Sequence, residues 1–400
     1  MSVAGSTNKG KGMVVDRAEQ VYIKLQQHLD RQPVGFPSTE SGAEIRILRH
    51  IFTPREAEIA ACLSYRPESI EKVFERAAHL VGSSDELTVA LDTIQKKGGI
   101  ETRIEQGTKY YCNAPLVVGM YEMQLNRLTP EFIKDFNEYT RDRKFGIEFL
   151  STDLPQMRTI PVARSILPRH HVATYDEVTE LVRVAEGPFA VIECICRKKK
   201  EMEDKPCKVT DRKETCLALG GMAQMLLLSG NGREIVRDEV ISILEQNQKD
   251  GLVLQPSNTQ RIDFICSCCG CCCGMLEVHK HLPKPLDFWA SNFHVVVDAK
   301  SCNGCGVCEK RCQVGAVRVP KEELPAEVDL NRCIGCGLCV DTCPPKAISL
   351  EKKPTQLEPP PTREDLYQII MTRKKGRLKK LQLTGKLFID VIRMGRTDLL

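Results

Sequence analysis

No stretch of the 400 residues approaches the run of about 20 apolar side chains that a bilayer-spanning helix requires. The amino terminus, MSVAGSTNKGKGMVVDRAEQ, has two lysines but no apolar region behind them and no twin arginine, so nothing there reads as an export signal. Tryptophan occurs once, and no GxxxxGK followed by Ser or Thr and no GxGxxG opening a helix is present, which leaves no legible nucleotide site. The net charge is only +4, from 57 basic and 53 acidic residues, too small to announce a nucleic-acid binder. No Ser/His/Asp constellation is legible. Cysteine is nearly missing from the first 193 residues, which hold only Cys62 and Cys112, both expected to be small apolar packing residues.

The other 18 of the 20 cysteines lie between Cys194 and Cys343. A disulfide framework needs an oxidising compartment and usually a small secreted scaffold, whereas this chain is long and carries no export signal. Thiolates at short spacing in a reducing cytoplasm instead bind soft metals or iron-sulfur clusters.

Length and a 42% apolar content predict two to four domains with buried cores. Residues 1–40 read as a flexible leader with one amphipathic run at 15–29. In 41–150 the apolar period is helical. Thr53-Pro54-Arg55-Glu56 and Ser83-Ser84-Asp85-Glu86 are capping boxes, and two extended runs at 100–104 and 109–117 follow. Three helices and a hairpin give the order of a winged-helix domain. Residues 40–110 hold 10 Lys/Arg against 12 Asp/Glu, so the domain is slightly acidic, which argues against nucleic acid as the partner. Residues 151–294 read as an α/β cysteine-rich domain with a strand at 188–196, helices at 215–228 and 237–248, and a hairpin at 252–254 and 261–266. Residues 295–350 form one cysteine-rich unit, and 351–400 a proline linker with a basic helical tail.

The strongest signal is an internal repeat. Asp298-Ala-Lys-Ser-Cys302-Asn-Gly-Cys305-Gly-Val-Cys308-Glu-Lys-Arg-Cys312 recurs as Asp329-Leu-Asn-Arg-Cys333-Ile-Gly-Cys336-Gly-Leu-Cys339-Val-Asp-Thr-Cys343. This tandem CxxCxxCxxxC pattern resembles the bacterial two-cluster ferredoxins over about 55 residues. The resemblance implies two 4Fe-4S clusters. Cys302, Cys305, Cys308 and Cys343 would hold the first, and Cys333, Cys336, Cys339 and Cys312 the second, because the fourth cysteine of each set ligates the other cluster. Cys343 is followed by Pro344, as in that family, but Cys312 is followed by Gln313.

Ten further cysteines are less standard. Cys194, Cys196, Cys207 and Cys216 lie on what reads as a strand end, a basic loop and a helix start, which would suit a third cluster. Cys266, Cys268, Cys269, Cys271, Cys272 and Cys273 form a dense second stretch. One or two additional iron-sulfur clusters, a zinc site, or a redox-active thiol group all remain open, with a subset of the ten as ligands. The pairing of these stretches with the ferredoxin-like unit resembles the multi-cluster iron-sulfur proteins of anaerobic bacteria and archaea. His170, His171, His279 and His281 read as surface or packing residues.

Residues 374–386, with Leu378, Leu381, Leu383, Leu387 and Ile389, can form a basic helix that lies on an anionic membrane surface, docks onto an acidic partner, or packs on its own chain. The sequence thus predicts an α+β protein with a winged-helix-like head, an α/β middle and a ferredoxin-like two-cluster unit. The function expected is cytoplasmic electron transfer between redox partner proteins. The alternatives are the electron-transfer subunit of an oxidoreductase complex and a redox-responsive winged-helix regulator.

Overall fold

The computed structural model describes residues 17–166, 172–321 and 323–395. The protein is a mixed α+β structure with several small sheets. The His170-His171 pair lies outside the described residues. No helix among them is long and apolar enough to cross a membrane.

The head opens with α1 (Arg17–Asp30), which occupies much of the expected leader and buries Tyr22, Leu25 and Leu29. Then follow α2 (Ala43–Ile51), α3 (Pro54–Ala60), strand β1 (Glu68–Ser69), α4 (Ile70–Ala77), α5 (Ser84–Lys96), and the hairpin β2 (Ile100–Glu105) and β3 (Thr108–Asn113). Thr53 caps α3 reciprocally with Glu56. At α5 the device is shifted by one residue: Ser83 accepts from the Glu86 amide, but the Glu86 carboxylate takes the amide of Gly82. β1 joins the hairpin in the order β1-β3-β2, pairing Glu68 with Tyr111. Its partner lies some forty residues on, so a two-residue strand leaves no local periodicity to read. The helices α6 (Pro130–Arg141) and α7 (Arg143–Leu150) complete the head.

After α8 (Val178–Val184) the middle region builds a five-stranded antiparallel sheet. Its elements are β4 (Phe189–Glu193), α9 (Ile195–Met202), β5 (Glu214–Leu219), α10 (Gly220–Leu228), β6 (Arg233–Ile235), α11 (Arg237–Asp250), β7 (Val253–Pro256) and β8 (Phe264–Cys268), with strand order β6-β4-β5-β8-β7. Two expected elements differ. β4 stops at Glu193, so Cys194 caps α9 instead of extending the strand, and 214–219 is a strand ahead of the helix. The run Cys216-Leu-Ala-Leu219 is buried between β4 and β8, and a short apolar run bears no period that separates strand from helix.

Next come α12 (Gly274–His281) and β9 (Phe293–Val297), then α13 (Val307–Arg311), β10 (Val317–Arg318), β11 (Glu327–Val328), α14 (Leu338–Asp341) and β12 (Ile348–Lys352). β9 pairs with β12 and β10 with β11, both antiparallel. The sequence repeat reappears as repeated hydrogen bonds: Asp298 N donates to Ala347 O and Asp329 N to Ala316 O, each at 2.8 Å. One apolar core runs from the middle sheet into this unit, through Ile265, Leu254, Phe293, Val295, Ile334 and Leu350.

The tail returns to the head. α15 (Arg363–Thr372) covers β2, where Arg363 and Glu101 form a buried ion pair at 2.6 Å. In α16 (Arg377–Arg393) two lysines face the chain itself, Lys380 toward Glu148 and Lys386 toward Asp287, while Leu378 and Leu381 are 78% and 70% exposed.

Candidate metal centres

The repeat unit gathers its cysteines in two groups. Cys302, Cys305, Cys308 and Cys343 line one cavity, closed by Pro344, Pro345 and Ile348. Cys333, Cys336, Cys339 and Cys312 form the other: burial raises the Cys333, Cys336 and Cys339 thiols, Cys336 to about 12, and the Cys312 sulfur adds to each. Cys308 is close enough to act on Cys339, so the groups are neighbours. The loops that bear them turn at Gly304, Gly306, Gly335 and Gly337, all with positive φ. At Gly335 a Cβ would stand 2.2 Å from the Phe293 carbonyl oxygen, so no other residue fits that turn undistorted. Backbone amides reach the sulfurs, Ala316 N donating to Cys312 Sγ at 3.2 Å and Ala326 N to Cys302 Sγ at 3.5 Å. Cys305 is the exposed member, while Cys333 and Cys339 are buried.

The ten remaining thiols divide differently from the sequence order. Cys207 meets Cys269, Cys271 and Cys272, all four sulfurs lying within 4.8 Å of one another, and Cys196 packs against the same cluster. The separations are 3.6 Å for Cys207–Cys269, Cys269–Cys271 and Cys271–Cys272, and 3.8 Å for Cys207–Cys271. A tetrahedron with metal–sulfur bonds of about 2.3 Å has an edge of about 3.8 Å, so this set fits one four-coordinate ion. A cubane places each thiolate on a different iron and holds its four sulfurs farther apart. The Cys272 thiol holds its neighbour Cys269 down to about 5 despite burial, with Arg197 adding to the effect.

The other six gather in a loose ring, in which the pKa of each thiol is shifted most directly by others of the set: Cys194 by Cys196 and Cys216, Cys196 by Cys273, Cys216 by Cys266, Cys266 by Cys268, and Cys268 by Cys273. Alternation along β8 turns Cys266 and Cys268 to one face, and the register of β5 brings Cys216 beside Cys266. Cys194 and Cys273 are the N-caps of α9 and α12. The head walls this ring: Tyr121, stacked on Phe136 at 3.9 Å, lies beside Cys194 and Cys196, and Glu122 lies beside Cys194 and Cys266. Burial raises the Glu122 carboxyl to about 7.

Two functional candidates escaped sequence reasoning. Arg197, 7% exposed, sits between the ring and the four-thiol set. Its position in a Lys/Arg run hides that it alone among Arg197, Lys198, Lys199 and Lys200 is buried. Gln313 marks the departure from the ferredoxin pattern, and its Oε1 accepts the amide of Gly270 at 2.8 Å, inside the Cys269-Gly270-Cys271 loop. Lys280 Nζ holds the Gly270 carbonyl from the other side at 2.5 Å.

The histidines are elsewhere. His279 is fully buried edge-on to Trp289 at 5.2 Å, its pKa lowered to about 3 by burial, and His281 is exposed. Cys112 is buried in β3 with its thiol pushed up to about 12, and Cys62 is half-buried against the head's core.

Residues 294–344 match the 4Fe-4S dicluster domain family. The chain thus contains a 4Fe-4S-type domain and, outside it, a four-cysteine candidate metal site. No curated protein and no solved structure matches the chain.

Proposed function

We propose that the chain is a cytoplasmic iron-sulfur electron-transfer protein that relays single electrons between a redox partner and its own middle-region thiols. Cys302, Cys305, Cys308 and Cys343 would hold one 4Fe-4S cluster, and Cys333, Cys336, Cys339 and Cys312 the second. Each cluster, when bound, supplies a site that takes up and gives back one electron. The residues set the order of the relay. Cys305 is the solvent-facing ligand, so a partner protein approaches there, and Cys312 belongs to the group farther in. The Ala316 and Ala326 amides aimed at Cys312 and Cys302 offset negative charge on those sulfurs, which eases reduction.

The observation that carries this reading is the Gln313–Gly270 hydrogen bond. It places the residue after Cys312 against the loop between Cys269 and Cys271, so the dicluster unit abuts the next metal site through one contact. Cys207, Cys269, Cys271 and Cys272 would hold a single zinc or iron ion there.

The winged-helix-like head serves in this reading as a wall over the buried thiols, not as a DNA reader. β2 lies under α15, and basic residues of the head are matched within it, Arg55 by Glu86, Lys97 by Glu56 and Lys109 by Asp92. Anaerobic iron and sulfide analysis with EPR of the reduced protein tests the proposal. At least about eight irons per chain and two interacting 4Fe-4S signals are expected, and fewer irons in intact material overturn it.

A further inference from the structure

α16 has two apolar faces, and only one of them is packed. Leu383, Leu387 and Val391, spaced by four, turn inward with the buried Asp390 and are buried or half-buried. Leu378, Leu381, Phe388, Ile389 and Ile392 are between 48% and 78% exposed. At about 100° per residue these five and Gly385 fall within an arc of about 100°, so they make one unbroken stripe along about 20 Å of helix. Such exposure on every member means that no described element rises beside the stripe. It is a ridge and not the floor of a groove. Of the fourteen large apolar side chains exposed among the described residues, six lie between Leu378 and Met394. Single exposed apolar residues need no explanation, but a contiguous set marks an interaction site.

Charge borders the ridge on both sides. Residues 371–395 hold eight Lys/Arg and a single acid, Asp390. Several of these cations are spent within the chain: Lys374 and Lys380 on Glu148, Lys375 on Asp153, Lys386 on Asp287 and Asp390. Arg377, Lys379 and Arg393 are exposed and have no ion-pair partner among the described residues. Helical geometry puts Arg377 on one flank of the stripe and Lys379 and Arg393 on the other. Asp390 lies on the inner side, buried and held by Lys284 at 3.0 Å. No acid of α16 therefore stands on the ridge or its flanks.

This border selects the partner. A protein would have to supply a groove matched to the ridge and carboxylates matched to each flank. A lipid interface supplies phosphates on both sides of any ridge that sinks between headgroups, and its acyl region yields to the shape. We propose that α16 docks the chain on an anionic lipid bilayer, with the stripe from Leu378 to Ile392 sunk among the headgroups and Arg377, Lys379 and Arg393 against lipid phosphates. The helix lies in the interface plane and does not cross it, since no described helix is long and apolar enough to span. Its inner side is tied to the segment 284–288, through Lys284 and Asp390 and through Lys386 Nζ, 5.9 Å over the Phe288 ring. That segment leads into β9 of the dicluster unit, so docking fixes the unit near the bilayer. The inference stands independently of how many clusters the chain holds.

Full-length protein, produced anaerobically with its metals, is floated with vesicles of phosphatidylcholine alone and of phosphatidylcholine mixed with phosphatidylglycerol. Binding to the mixed vesicles is expected to be tighter by about tenfold or more and to weaken as salt rises. Gly385 sits in the middle of the stripe with open space where a Cβ would stand, so Gly385→Glu sets an acid into the ridge without displacing a neighbour. It is expected to cut binding to the mixed vesicles by about tenfold or more, with metal content and thermal midpoint kept. Arg377→Gln/Lys379→Gln/Arg393→Gln should lower it by about fivefold per cation and flatten the salt dependence. Should Gly385→Glu lose metal or stability, this triple variant, which alters only exposed side chains, decides. No binding to either vesicle, equal binding to both, or undiminished binding by the variants overturns the proposal. A wild-type dimer that Gly385→Glu converts to monomer in sedimentation velocity overturns it too, because the stripe would then belong to a second copy of the chain.

Discussion

Gln313 and Gly270 meet across the seam between the two cysteine-bearing regions, the glutamine side chain accepting the glycine amide at 2.8 Å. A proline at 313, the residue that follows the corresponding cysteine in two-cluster ferredoxins, has no such acceptor, so the departure from the family pattern coincides with the contact. Gly270 has no room for a side chain: a Cβ there would stand 2.1 Å from the Gln313 carbonyl oxygen. Gly270→Ala is expected to destabilise the protein by about 1–3 kcal/mol, the usual range for an added methyl in a filled site. Gln313→Ala removes one neutral hydrogen bond, worth about 1 kcal/mol. With metal content unchanged, it is expected to slow electron passage beyond the dicluster unit, which stopped-flow reduction at two wavelengths resolves.

The four-thiol set gives a metal-specific expectation. Cobalt(II) replacing the native ion at Cys207, Cys269, Cys271 and Cys272 should give the intense visible bands of a tetrahedral thiolate site, and Cys207→Ser should weaken them sharply. Because the ligands bind as thiolates, acidification should release this ion in competition with protons. A chelator titration followed by zinc or iron analysis reads both effects. Retention of one ion per chain in Cys207→Ser/Cys271→Ser would show that the set is not its seat.

The repeat was legible because ligand spacing is local. Cys302 to Cys312 and Cys333 to Cys343 each fit within a loop and one turn of helix, and Cys302, Cys305, Cys308 and Cys343 line one cavity. Of the ten other thiols, four gather as a candidate metal site whose membership the sequence order did not disclose. Cys207 follows Cys196 by eleven residues, yet it joins Cys269, because the loop after α9 folds across the sheet to the far end of β8. Partition depends on strand order β4-β5-β8, which pairs elements about fifty residues apart, and no periodicity records it. Arg197 was hidden for the same reason: one buried cation in a basic run is distinguished only by what packs on it.

The tail is fastened to the head by a buried charge pair. Arg363 Nη2 donates to Glu101 Oε1 at 2.6 Å, both side chains are 6% exposed, and the guanidinium lies over the Tyr367 ring at 5.2 Å. Removing one partner leaves the other charge buried and uncompensated, a loss of about 3–5 kcal/mol. Glu101→Ala should therefore loosen α15 from β2 and expose the segment to limited proteolysis. Replacing both as Glu101→Leu/Arg363→Met should recover part of that loss, because neither partner is left as a lone charge, while buried Asp263, which Arg363 also offsets, keeps the recovery incomplete; equal instability in the single and double variants would count against the pair as the fastening.

Acid stability should depend on Asp135. Burial acts to raise this carboxyl, but Arg46 at 2.7 Å and His50 at 3.0 Å outweigh it and hold it below its ordinary value of 3.8. A carboxylate with a depressed folded-state pKa contributes stability that is present above its unfolded value and is lost as pH falls through the folded one. The window therefore lies at and below the ordinary carboxylate range, and near neutral pH the contribution is complete. Arg46 is partly exposed, so solvent screening limits the contribution to about 1 kcal/mol. Asp135→Asn should lower the denaturation midpoint at neutral pH and make the difference from wild type shrink as pH drops through that window. Urea titrations at stepped pH measure this directly, and a difference constant down to the lowest pH would show that Asp135 acts through packing rather than charge.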